Sequence, residues 1–226
     1  MEGTLRKGGK MKISVVENVL KANDAVAHEN RRRLEAAGVR ALNMMSAPGS
    51  GKTTLLHETI ATLQNDLRFA VLVGDLQTTR DAERLGDLDA QVTQINTGRG
   101  CHLDATQVTQ GLETLDLEGL DFLIIENVGN MVCPAGFDLG EHLRVILLSV
   151  PEGDDKVAKY PTLFQPADVI LLTKVDLLGI LDFDVSRVEE DLSHINTRAP
   201  LLRISSKTGE GMDAWLNWLR GQKVRS

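Results

Sequence analysis

The chain has 226 residues, 42% of them hydrophobic, which suffices for one well-buried domain and gives no reason to invoke a second. A formal net charge of −7 and an aromatic content of 4% argue against a general nucleic-acid or anionic-membrane binder and against a base-stacking platform for single strands. No apolar run reaches the ~18 residues of a spanning helix, and the start lacks the basic-then-apolar layout of a signal peptide, so a cytoplasmic protein with neither membrane nor nucleic acid as partner is expected.

Met1–Lys10 is polar, Gly- and Lys-rich and aperiodic. It is set apart as a disordered start or as residues foreign to the native protein, with Met11 as an alternative initiator, and residues 11–226 are expected to form one domain. Val16, Val19, Leu20, Ala27 and Leu34 follow helical spacing to about Ala37, where Gly38 is placed to stop the helix. Arg31-Arg32-Arg33 near its end reads as a solvated face that suits the helix dipole rather than as a partner patch. Val39–Met45 predicts a strand and Leu55–Leu63 a helix.

Between that strand and that helix stands Ser46-Ala-Pro-Gly-Ser-Gly-Lys-Thr-Thr54, in the strand–loop–helix context of a phosphate-cradling P-loop. Gly49, Ser50, Gly51, Lys52, Thr53 and Thr54 are the candidate nucleotide-binding residues. Lys52 is expected to reach the β- and γ-phosphates from an exposed loop, Thr53 to offer its hydroxyl to Mg²⁺, and the helix to present its positive end to the anion. Ser46 stands where the first glycine of the pattern is usual, keeping a small residue at the turn.

Phe69–Val73 predicts a buried strand ending at Gly74-Asp75, followed by a polar helical segment over about Thr79–Leu85 and a strand around Gln91–Ile95. Asp75 and Asp81 are candidates for Mg²⁺ coupling, with a solvated loop and helix cap as the alternative for both, weightier for Asp81 than for Asp75. A loop, Asn96-Thr-Gly-Arg-Gly100, leads to Cys101-His102, and a helix is expected over Leu103–Leu115. Asp121–Ile125, Arg144–Val150, Asp168–Leu172 and Leu201–Ser205 are further strands, and the chain closes in a helix with Met212, Trp215 and Leu219 on one face, its tryptophans read as packing residues. Apolar strands alternating with helical patterns imply an α/β fold: a mainly parallel sheet with helices on both faces and a ligand site beyond the strands' carboxyl ends.

Three constellations carry chemistry. Glu126-Asn-Val-Gly129 puts a carboxylate at a strand end and a glycine three residues on, where Glu126 can hold or orient a water and the Gly129 amide can sense a γ-phosphate. Lys52, Asp75 and Glu126 are thus the candidate catalytic residues, and Thr53, Asp75 and Glu126 the candidate Mg²⁺ set. Thr173-Lys174-Val-Asp176 resembles the guanine-reading NKxD element of GTPases: a carboxylate accepts from two adjacent N–H donors of guanine that adenine does not supply. Thr173 departs from the usual asparagine, so this loop is expected to be held differently, and Ser205-Ser206-Lys207 resembles the last base-side loop. Cys101, His102 and Cys133 suit Zn²⁺ or Ni²⁺ better than Mg²⁺. By spacing alone, however, two buried structural cysteines with a stray histidine are the better reading, and convergence requires that the Gly98-Arg-Gly100 loop bring neighbouring residues onto one ion.

Taken together, Ser46–Thr54, Glu126-Asn-Val-Gly-Asn-Met-Val-Cys-Pro134, Gly100-Cys-His-Leu-Asp-Ala105, Lys159-Tyr-Pro161 and Gly209-Glu-Gly-Met212 resemble the nickel-incorporation GTPases of hydrogenase maturation, the HypB family, over nearly all of residues 15–222. The resemblance implies a SIMIBI-class P-loop fold, slow hydrolysis of GTP to GDP and Ni²⁺ or Zn²⁺ at Cys101, His102 and Cys133. It also implies a nucleotide-linked homodimer and delivery of nickel to a hydrogenase large-subunit precursor with a nickel-binding accessory protein. The Cys-rich and His-rich N-terminal metal segments of some members have no counterpart in this sequence, so nickel storage is not expected. The urease nickel-inserting GTPase is a close alternative, a small-molecule P-loop kinase and a metal-responsive binding module more distant ones.

Overall fold

The computed structural model describes residues 10–75, 84–98 and 100–224, with side chains from Leu20 onward except that of Asp75. Residues 1–9, Asp81 and most of the expected 79–85 helix, Arg99, and the side chains of Val16, Val19 and Asp75 lie outside the described residues.

Helix α1 (Lys10–Ala36) precedes strand β1 (Arg40–Ser46), and α2 (Lys52–Leu63), β2 (Phe69–Asp75), β3 (Ala90–Asn96), α3 (Ala105–Leu112), β4 (Phe122–Glu126) and β5 (Leu143–Ser149) follow. Two single-turn helices, α4 (Lys156–Lys159) and α5 (Pro161–Phe164), lead to β6 (Val169–Thr173), α6 (Val185–Ile195), β7 (Leu201–Ile204) and α7 (Met212–Arg220). The strands form a seven-stranded sheet in the order β3-β2-β4-β1-β5-β6-β7, and every pairing is parallel. Because β1 lies mid-sheet and the chain leaves it first toward β2 and later toward β5, the strand order reverses beside it. That reversal opens a crevice beyond the carboxyl ends, where ligands bind in folds of this kind.

Alternation along β1 explains the layers. Leu42 and Met44 face one side, packing with Leu55, Ile60 and Trp215 of α2 and α7. Ala41 faces the other with Leu34 and Leu112 of α1 and α3, and Met45 packs there with Phe164 and Val188 of α5 and α6. Trp215 is a packing residue, as expected: it is fully buried, its indole N–H donates to Thr59 Oγ1 at 2.9 Å, and Trp218 stacks on it. Helix α6 was not evident from the sequence, although Asp184 caps it and Val188 and Leu192 bury one face at i,i+4 spacing. Helix α3 starts two residues later than its periodicity suggests, because Asp104 and Gln107 close a reciprocal capping box.

Helix α1 ends where expected, with Gly38 at φ +73°. Its arginine triplet is in part the solvated face expected, with Arg32 and Arg33 exposed, and in part a docking surface. Arg32 is exposed and pairs with Glu29, but Arg31 donates to Asp138 at 2.7 Å and Arg33 to the Leu112 carbonyl at 2.9 Å. Asn23 and Asn30 continue this docking surface. Asn30, 2% exposed, donates to the carbonyls of Ala105 and Leu139 at 2.8 and 3.2 Å and accepts from Thr109. Asn30→Ala is expected to destabilise the protein by about 2–4 kcal/mol, since it strands several buried partners, and urea unfolding with an unchanged m-value will measure this.

Candidate nucleotide and metal site

The loop between β1 and α2 is shaped by its glycines. Gly51, at φ +95°, turns the chain into α2 at the residue where the helix begins. The Lys52 ammonium donates to Ser46 Oγ at 2.8 Å. Ser46, which replaces the usual glycine, thus supplies the lysine's hydroxyl partner, a role that the motif pattern does not show. Lys52 is not on an exposed loop as expected: it is 8% exposed, folded back over the turn. Thr53 Oγ1 donates to Glu126 Oε1 at 2.7 Å, so the end of β4 and the start of α2 bring hydroxyl and carboxylate oxygens together. Hard oxygen donors of this kind fit Mg²⁺.

Glu152 was not foreseen. It lies just after β5, and its Oε1 accepts from Ser50 Oγ, Ser149 N and Ser149 Oγ, holding the P-loop from the neighbouring strand. The available signal was the Ser149–Glu152 spacing of a capping box. A cavity of about 440 Å³ runs over Gly49, Lys52, Thr53, Glu126 and Gly129. Asp75 ends β2 at this edge, two residues beyond Val73, which is in register with Glu126.

A second cavity of about 250 Å³ adjoins it, lined by Thr54, Lys174, Asp176, Ser206 and Lys207. Lys174 is the one non-glycine residue of positive φ, +59°, among the described residues, and its ammonium donates to the Gly49 carbonyl at 2.6 Å. Thr173 Oγ1 donates to the Ser50 carbonyl at 2.8 Å, so a threonine ties this loop to the P-loop. Asp176 Oδ1 accepts from Ser205 Oγ at 2.7 Å, which aims the carboxylate into the cavity mouth. For Asp176→Asn, an expected loss of about 10–100-fold in the GTP/ATP affinity ratio follows from replacing one of two acceptors by a donor. Competition binding will read it. A larger cavity of about 780 Å³ opens at the opposite edge of the sheet, between Arg68, Asp89, Asp116 and Asp121. It gathers none of the motif residues, so chemistry rather than size locates the site.

Cys101 and His102 lie in the bend between β3 and the Asp104 cap, and Cys133 opens a short 3₁₀ turn after β4. Their ligand atoms all fall within 4.8 Å of one another. That convergence, with Cys101 exposed, disfavours two buried structural cysteines. His102 lies against the Phe137 ring with centroids 4.0 Å apart. Asn130 spans the two segments, donating to the Cys101 carbonyl at 3.3 Å and accepting from Val132 N at 2.8 Å. The hydrogen bond with Cys133, followed by loss of hydration, pushes the Cys101 thiol above its ordinary range. Burial pushes His102 below its ordinary value, against the pull of Asp104. A neutral imidazole beside two thiols that lose their protons on binding is a soft, three-donor cation site.

Residues 41–203 match a family model described as "CobW/HypB/UreG, nucleotide-binding domain". The chain is 49% identical to hydrogenase maturation factor HypB of Rhizobium leguminosarum bv. viciae, over 94% of this chain and 71% of that one. It superposes on the crystal structure of HypB from Helicobacter pylori in complex with nickel at a TM-score of 0.85 and 44% identity, covering 91% of this chain and 98% of that one. HypB from Archaeoglobus fulgidus superposes at a TM-score of 0.84 and 40% identity, with 89% and 98% covered.

Proposed function

The chain belongs to the CobW/HypB/UreG nucleotide-binding family and within it to the HypB maturation factors, and from this we infer that it is a nickel-inserting GTPase of hydrogenase maturation. The observation that carries this reading is the convergence of Cys101, His102 and Cys133 on a segment continuous with the phosphate cavity, since Cys133 and Glu126–Gly129 belong to one connection after β4. Residues 11–226 act as one G domain.

In this reading Gly49, Ser50, Gly51, Lys52, Thr53 and Thr54 hold the phosphates, and Lys174, Asp176, Ser206 and Lys207 hold guanine. Lys52 neutralises charge on the β- and γ-phosphates, and Glu126 orients the attacking water. Thr53, Glu126 and Asp75 would hold Mg²⁺, which when bound would supply positive charge to offset that of the phosphates. Hydrolysis is slow and serves as a switch, because the Gly129 amide that senses the γ-phosphate shares its segment with a metal ligand.

Nickel is the cargo, and Zn²⁺ fits the same three donors. Three ligands per chain leave a position to fill. Val132, 62% exposed beside Cys133, gives that surface an apolar contact suited to a second copy across a two-fold axis. The homodimer, the hydrogenase large-subunit precursor, a nickel-binding accessory protein and a cytoplasmic location complete the proposal. No described helix is long and apolar enough to cross a membrane.

Calorimetric titration with nickel and with zinc, in the presence of GDP or a GTP analogue, tests it alongside a turnover assay. GTP-preferring turnover without any phosphate acceptor, together with stoichiometric nickel binding, is expected. Turnover that depends on a small-molecule acceptor, with no metal bound, would make the protein a kinase instead.

A further inference from the structure

We propose that Asn127 is the positioning residue that ties the Cys101–His102 arm of the metal site to the phosphate site, an inference that rests on reading the chain as a nucleotide-switched metal carrier. Cys133 is joined to Glu126–Gly129 by the chain itself, whereas Cys101 and His102 come from the far side of β3 and are held to that connection by Asn130, bonded to the Cys101 carbonyl at 3.3 Å, and by Asn127, the one of the two that lines the phosphate cavity.

Asn127 follows Glu126, lines the phosphate cavity and is 1% exposed. Its backbone N–H donates to the Met44 carbonyl at 3.0 Å, anchoring it on the strand that leads into the P-loop. The side-chain amide is engaged at both its nitrogen and its oxygen. Nδ2 donates to Asn43 Oδ1 at 3.3 Å, and Oδ1 accepts both from Val128 N at 2.9 Å and from Leu103 N at 3.2 Å. Leu103 is the residue after His102. One oxygen therefore serves an N–H on the phosphate-sensing segment and an N–H on the metal-ligand segment.

Both ends of this link are packed against nucleotide-side structure. A Cβ on Gly129 would lie 2.8 Å from Pro48 Cα, so the sensing segment is pressed onto the P-loop backbone. A Cβ on Gly74 would lie 2.8 Å from Leu103 Cγ, so Leu103 is seated on the end of β2. With little slack at either contact, a shift of Val128–Gly129 toward a γ-phosphate changes the geometry at Oδ1 for both donors. The longer bond, from Leu103, gives first. His102 then moves relative to Cys133, and the three ligands spread or close together. Asparagine suits the position because aspartate would add a buried negative charge beside phosphate and Glu126, whereas leucine would accept nothing.

Amide hydrogen exchange of the wild-type protein gives the first test. Leu103 N–H protection is expected to differ by about fivefold or more between the GDP and GTP-analogue states, in line with a working coupling. Identical protection in the two states would overturn the proposal without need of any variant. In Asn127→Ala, the ratio of nickel dissociation constants between the two states is expected to move at least about twofold toward unity, the chain connection from Gly129 to Cys133 retaining the rest. A general loss of stability cancels from that ratio. A wild-type ratio in Asn127→Ala removes Asn127 from the link and leaves the switched carrier standing, whereas a ratio of one in the wild type sinks both.

Discussion

Lys52→Ala is expected to lower kcat for GTP hydrolysis by about 10³-fold or more, since it removes the positive charge that compensates the transferred phosphoryl group in a site where one fixed donor is already worth about 10²–10³. The fold should survive the change although Lys52 is buried. Its partner, the Ser46 hydroxyl, also donates to the Ala47 carbonyl at 2.7 Å, so truncating the lysine leaves that hydroxyl engaged. Circular dichroism and a thermal melt will establish the fold, and single-turnover phosphate release the rate. A variant within tenfold of wild type would remove Lys52 from phosphate chemistry.

The second large effect belongs to Cys133→Ser. Exchanging a soft thiolate for a hard hydroxyl in a set of three ligands is expected to weaken nickel binding by about 100-fold or more, beyond the 10–100-fold typical of losing an outer partner. The same substitution should abolish the nucleotide dependence of metal binding. In the wild type, linkage requires that GTP and GDP change nickel affinity by the factor by which nickel changes their relative affinities, typically about 5–150-fold. GTP binding should remain close to wild type, because Cys133 lines neither the phosphate nor the base cavity. Metal titration in both nucleotide states reads the first two, and titration of the metal-free variant with a GTP analogue reads the third. Equal wild-type nickel affinities in the two states would refute the coupling.

Much of the site was legible because it is local. Gly51, Lys52 and Thr53 are consecutive, and phosphate cradling demands that spacing in one turn. Lys174 and Asp176 likewise fall in one short loop, and the structure lines the second cavity with both. The strands were legible for a related reason: a parallel strand buried on both faces reads as an unbroken apolar run, as in Leu123–Ile125 and Ile170–Leu172. Errors arose where a residue's partner lies far along the chain. Arg31 looked solvated because Asp138 is remote in sequence; α6 is a different case, since its Asp184 cap is local but only Val188 and Leu192 are buried along an otherwise polar helix.

By itself, then, the sequence determined the α/β class, the strand–loop–helix run that carries Lys52 and Thr53, and the short loop that carries Lys174 and Asp176, all of which follow from spacings within a few residues. Only the tertiary structure decided that Cys101 and His102 meet Cys133, that Glu152 holds Ser50, and that Asn127 reaches Leu103. The physical reason is the sheet order. Placing β2 and β4 side by side, with β3 beyond β2, brings the loops after β3 and β4 to one edge, and no periodicity along the chain records which strands become neighbours.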